Sequence, residues 1–131
     1  MRLVHFMTAA GVTVAAACGS STAPGGGPNP NGVSIQEFSF TPPVLTVNVG
    51  TTVPWTNTGT VGHTTTSDAG TPQAWDSGTL TPPSGGGGYG GGTPGGTYQV
   101  TFMTAGTYTY HCKLHPPASY PNFTGKITVT P

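Results

Sequence analysis

"GTYTYHCKLHPPASYPNFTGKITV", residues 106–129, decides how this chain is read. Its first part alternates, so that Tyr108, Tyr110 and Cys112 share one face of a strand while His111 points the other way. Its last part, with Ile127 and Val129 two apart, reads as a closing strand. Between them Cys112 and His115 stand three residues apart, at the interior end of one strand and after a short turn. A Cys-x-x-His pair suits a metal ion but supplies only two ligands, so any third must come from a distant part of the chain.

The same alternation recurs upstream. Val33 and Ile35, then Phe38 and Phe40, form a first run, and Leu45, Val47 and Val49 a second. "TVPWTN" around Val53 and Trp55 is a third, with Pro54 predicting an edge or a bend, and "VGHTTTS" is a fourth. "TYQVTF" puts Tyr98, Val100 and Phe102 on one face. Seven or eight short strands in about 100 residues predict an all-β fold, an antiparallel Greek-key β-sandwich whose two sheets bury these faces against each other. Trp55 and Trp75 are expected in the core. "SGGGGYGGGTPGG", residues 84–96, interrupts the pattern and reads as a floppy surface insertion, because glycine tracts lose much entropy on ordering and have little to pack.

Composition agrees. The 131 residues include 22 Gly and 14 Pro but only 5% charged side chains, which favours short strands and turns over helices. The cations are Arg2, Lys113 and Lys126, too few and too scattered to bind a phosphate backbone, so nucleic acid is not an expected partner.

The first residues read differently from the rest. "MRLVHFMTAAGVTVAAAC" has one cation, a short apolar run and three small residues before Cys18, the pattern of a secretory signal over residues 1–17. The run is too short for a membrane span. "AAAC" resembles the lipobox of bacterial lipoproteins, which implies a lipidated Cys18 at the mature N-terminus; ordinary cleavage after Ala17 is the alternative. Residues 18–32 then form the anchor and a Gly/Pro/Ser tether, and 33–131 the folded domain. The chain is expected on the periplasmic or extracellular side of a bacterial membrane, held through that lipid. Cys112 is then the one thiol left in an oxidising compartment, a liability unless a metal holds it.

The histidines are His5, His63, His111 and His115. His5 leaves with the signal and His111 faces away from Cys112, which makes His63 the third metal ligand. One thiolate with two imidazoles is the trigonal core of a blue-copper centre. A closed structural zinc site takes four protein ligands and often a second thiolate, so copper is preferred.

With these residues assembled, the chain resembles the cupredoxins, the plastocyanin and azurin group, across 33–131. The resemblance rests on "WTNTGTVGHTTTS", "TYQVTFMTAGTYTYHCKLHP" and "GKITVT", with one His early and Cys-x-x-His before the last strand. It implies one copper ion cycling between Cu(I) and Cu(II) on His63, Cys112 and His115. In that family an axial Met precedes x-Gly-x-hydrophobic-x-Val; here "FTGKITV" puts Phe123 in that place, after a seven-residue loop, "PPASYPN". The expected site is therefore three-coordinate, with a non-ligating Phe123 shielding the axial direction and the Gly62 carbonyl approaching from the other side. Asn122 as an axial oxygen ligand is the alternative. Met103, on the strand before the Gly106 turn, is expected at the surface.

The resemblance implies a monomeric electron carrier that meets a redox partner protein at the edge of His115, beside Pro116, Pro117 and Ala118. Enzymes with this domain need further histidines, and once two are used only His111 is left, so no catalysis is expected. Two other readings stay open: an envelope protein that buffers or delivers copper, and a copper-free scaffold module.

Overall fold

The computed structural model describes residues 29–85 and 91–131. The signal, Cys18 and the tether as far as residue 28 lie outside the described residues. Eight strands follow one another: β1 (Val33–Gln36), β2 (Ser39–Thr41), β3 (Val44–Asn48), β4 (Thr52–Asn57), β5 (Thr66–Ser67), β6 (Thr97–Thr101), β7 (Gly106–His111) and β8 (Thr124–Thr130). They form two four-stranded sheets, ordered β2-β1-β4-β6 and β3-β8-β7-β5, and among the described residues there is no helix.

The all-β sandwich is as expected, but its sheets are mixed and not wholly antiparallel. β1 pairs with β4 in parallel, Val33 opposite Trp55, and β3 pairs with β8 in parallel, Leu45 opposite Ile127. Alternation specifies which face a residue takes and carries no information about strand direction. Both parallel pairs join strands that are remote in sequence, which requires the chain to cross between sheets.

Three strand readings change in detail. The run from Val33 to Phe40 is a hairpin, broken at Phe38, whose φ of 59° lies in the left-handed region. The sign was in the sequence: Val33 and Ile35 are odd, Phe38 and Phe40 even, so one strand could not bury all four. Pro54 sits in an interior strand and not at an edge; the register with β1 begins only at Trp55, so the missing N–H precedes that ladder. "VGHTTTS" contributes only Thr66–Ser67 as strand, with His63 joined to Leu80 by an isolated bridge.

The core lies between the sheets. Trp55, Tyr108, Tyr110, Phe102, Phe40 and Ile127 are buried there, and Trp75 joins them beside Trp55 with ring centroids 5.6 Å apart. Burying each such side chain contributes about 1.5–3 kcal/mol, so apolar packing between the sheets is a major source of the fold's stability. Gly125 has a packing reason: it pairs with Tyr110, and a Cβ at Gly125 would overlap the Tyr110 ring.

The described flanks of the glycine-rich segment, residues 84–85 and 91–96, are held by backbone contacts. Ser84 and Thr93 exchange backbone hydrogen bonds at 3.0 and 2.7 Å, Asn57 N–H donates to Gly96 at 2.9 Å, and a Cβ at Gly95 would overlap the Asn57 carbonyl. Its glycines let one stretch of backbone lie directly on another.

Candidate metal centre

Three segments of chain converge at one end of the sandwich. His63 comes from the connection between β4 and β5, Cys112 follows β7, and His115 ends the turn after it, with His115 N–H donating to the Cys112 carbonyl at 3.3 Å. One potential ligand atom from each lies within 4.8 Å of the others. Cys112 Sγ is 3.6 Å from His115 Nδ1. Two donors bound at about 2.0–2.3 Å to one first-row ion, some 110–120° apart, would be separated by about that distance.

The strongest sign of an ion is a deficit. His63 is fully buried and neither of its ring nitrogens has a hydrogen-bond partner. A buried polar group without a partner costs several kcal/mol in an apolar setting, a penalty that coordination would remove at one of the two nitrogens. Burial, first, and the neighbouring His115, second, hold the His63 pKa below its ordinary value, so the imidazole is kept in the neutral form that metals require.

Residues that the sequence did not single out build the frame. Asn57 is buried and its amide donates to the Val61 and Leu80 carbonyls, both at 2.8 Å, while its oxygen accepts from Gly59 N–H at 2.9 Å. That fixes the loop carrying His63. Gly62 allows close packing there, since a Cβ would stand 2.9 Å from the Thr79 methyl. Thr64 N–H points at Cys112 Sγ at 3.3 Å, and Thr64 Oγ1 accepts from Lys113 N–H at 2.9 Å. Thr64 and Thr65 are both fully buried, an uncommon fate for threonine, but in so Thr-rich a chain nothing in the sequence marks them.

The long loop after His115 does not carry Phe123 away. Ser119 and Tyr120 N–H groups both return to the Pro116 carbonyl, and Phe123 N–H donates to Tyr120 at 2.9 Å, coiling the loop back on itself. Phe123 is fully buried, its ring centroid 5.1 Å from that of His63 and 6.1 Å from that of His115. Asn122 is exposed, as is Met103 at 67%. His111 stays outside the cluster: its Nδ1 lies 2.5 Å from Asp68 Oδ1.

A β-sandwich that closes two histidines and one cysteine into a cluster open only at His115 defines the class of the cupredoxins. The chain belongs to the plastocyanin/azurin family of copper-binding proteins, whose family model matches residues 29–130. An oxidized variant of amicyanin, its methionine replaced by leucine, is similar at 30% identity with a TM-score of 0.57, covering 76% of this chain and 80% of that one. A purple cupredoxin from Nitrosopumilus maritimus shares the fold at 24% identity and a TM-score of 0.55, over 76% of this chain and 98% of its own. A copper-containing nitrite reductase from Thermus scotoductus SA-01 matches 86% of this chain at 25% identity and a TM-score of 0.60, but over only 25% of the enzyme's length. No curated protein matches in sequence. The donor set and the family agree on one copper as the cofactor, and the chain is a copper-binding protein of the electron-transfer class.

Proposed function

We propose that this protein is a one-electron carrier of the cell envelope, with type 1 copper held by His63, Cys112 and His115 and no methionine in the axial direction. The observation that carries the reading is the buried His63, unpartnered at both nitrogens, within reach of a thiol and a second imidazole. Copper bound there supplies a reversible one-electron couple between Cu(I) and Cu(II). Every other contribution is the chain's own. Asn57 and Thr64 lock the two ligand-bearing loops to each other and to the sandwich, so the donors hold one geometry through both oxidation states. Phe123, buried against the rings of His63 and His115, would cover an ion held there with an apolar ring that donates nothing and excludes water.

His115 is the exit. It is only partly buried, and Phe38 and Tyr120 pack edge-on to its ring at 5.1 and 5.3 Å. Phe38 and Leu114 expose 37% and 46% of their surfaces, and Pro116, Pro117 and Ala118 are exposed beside them. A redox partner protein docks on this uncharged rim, where a small interface releases quickly. Lys113 is engaged by Asp76, so long-range steering is weak. The protein acts as a monomer, anchored through Cys18, and catalyses no reaction of its own: His111 is paired with Asp68, and the one other histidine, His5, lies in the signal.

The visible spectrum of the copper(II) protein, before and after ascorbate, tests this. An intense blue band that ascorbate bleaches and air or ferricyanide restores is expected. A colourless complex that releases copper on reduction would overturn the carrier and favour buffering or delivery.

A further inference from the structure

Glu37 and Phe38, consecutive in the turn between β1 and β2, reach the metal site from outside the ligand loops. Phe38 is the one non-glycine residue with positive φ among the described residues, a conformation that costs an ordinary side chain about 1–2 kcal/mol. Burial does not compensate it, since the ring is 37% exposed. The ring instead stacks on Tyr120 at 4.2 Å and 16°, and meets His115 edge-on. Strain of this kind concentrates at functional sites.

The same turn delivers the Glu37 carboxylate. Its Oε1 accepts the Thr60 N–H and lies 4.0 Å from Nε2 of His63. Gly59 makes room for it, because a Cβ there would stand 2.5 Å from that oxygen. Among the described residues no other acidic side chain pairs with His63, whose two nitrogens are otherwise unpartnered.

We propose that Glu37 is the positioning residue of this copper site: its carboxylate accepts the Nε2–H of His63, fixing the tautomer that leaves Nδ1 for the metal. The proposal rests on the reading that His63 is a copper ligand. A neutral imidazole carries one proton, so coordination through Nδ1 leaves a donor on Nε2 that is buried and needs an acceptor. Hydrogen-bond distance is about 2.7–2.9 Å for such a pair, so the Glu37 carboxylate, exposed on one side and held by Thr60 on the other, has about 1 Å to travel. A carboxylate acceptor makes the imidazole a stronger donor and sets a negative charge one ring from the ion, which favours Cu(II).

Two variants separate this role from a plain clamp on Thr60. Glu37→Gln keeps an oxygen for the Thr60 N–H and for Nε2–H but removes the charge; Glu37→Ala removes both. The readouts are the reduction potential of the copper protein and the His63 ring ¹⁵N and Nε2–H resonances in the diamagnetic Cu(I) form and the apoprotein. Expected are a slowly exchanging Nε2–H in the wild type, an upfield shift in Glu37→Gln with a raised potential, and loss of the signal to exchange in Glu37→Ala. A His63 Nε2–H signal that is the same in all three proteins overturns the proposal, whatever the potential does. If the wild type fails to give a thiolate-to-copper band, the copper assignment falls instead, and the apoprotein spectra still decide the Glu37 to His63 contact.

Discussion

Thr64 donates its backbone N–H to the sulfur of Cys112 at 3.3 Å, across 48 residues of chain. Its hydroxyl accepts from the residue after that cysteine, Lys113, at 2.9 Å. One small side chain thus stitches the loop of the first histidine to the loop of the thiolate. Thr64→Val keeps the shape and the N–H but leaves the Lys113 N–H without its acceptor. The expected loss is about 1–3 kcal/mol in urea unfolding of the apoprotein. Thr64→Ser should recover most of it, and a Val variant as stable as the wild type would show that the stitch holds nothing.

Cys112→Ser should abolish the thiolate-to-copper colour and leave the sandwich folded, because the buried aromatic faces, and not the metal, form the core. Circular dichroism and cooperative thermal unfolding of the variant and of the wild-type apoprotein check this. If both are unfolded, metal and fold are coupled and the separation fails.

Phe123→Met should keep the blue colour while its reduction potential falls. The swap roughly conserves volume, so the packing against Phe40 and His63 survives. A thioether offers weak axial donation that stabilises Cu(II), which a phenyl ring cannot. Voltammetry of the two proteins decides it, and an equal or higher potential in the variant contradicts an axial role for Phe123.

Acid should weaken the apoprotein through His63. Its folded pKa is lowered, chiefly by burial, from its ordinary value of 6.5. The unfolded chain therefore takes up a proton first, so this contribution is fully present above about pH 6.5 and is lost as pH falls below it. One group can impose a slope of at most about 1.4 kcal/mol per pH unit. Urea unfolding between about pH 8 and about pH 5 should show a decline that His63→Gln makes shallower. An unchanged slope in the variant would assign the acid sensitivity elsewhere.

Cys18→Ser should release the protein from membranes in soluble form. Each buried methylene of an acyl chain contributes about 0.8 kcal/mol, and stable anchoring takes more than one chain. Fractionation with mass spectrometry of the N-terminus checks it; wild-type protein recovered soluble, with a free thiol at Cys18, would mean simple secretion.

Much of this site was legible because its logic is local. Parity in "TYTYHC" turned Cys112 inward and His111 outward, and the short supply of histidines left His63. Phe123 is placed through the family resemblance, in which the axial residue precedes x-Gly-x-hydrophobic-x-Val, matched here by "FTGKITV". What escaped depends on tertiary approach. Strand direction in β1/β4 and β3/β8 leaves no trace in alternation. Thr64 looks like its neighbours until Cys112 arrives from 48 residues away. Asn57 acts through loop carbonyls that no motif encodes. Glu37 is one of three acids in the whole chain, and that isolation was the signal available for it.

The position of β8 has a consequence in time. It lies between β3 and β7, so an interior strand of this sheet is made after all of its sheet neighbours. Synthesis runs from the N-terminus, and β3 has no parallel partner until residues 124–130 have left the ribosome. The sheet that joins β3 to β7 therefore cannot close before β8 is made, and the pocket that Phe123 closes around His63 comes into being only after translation has passed it. A complete cradle for the metal is then a late product of synthesis.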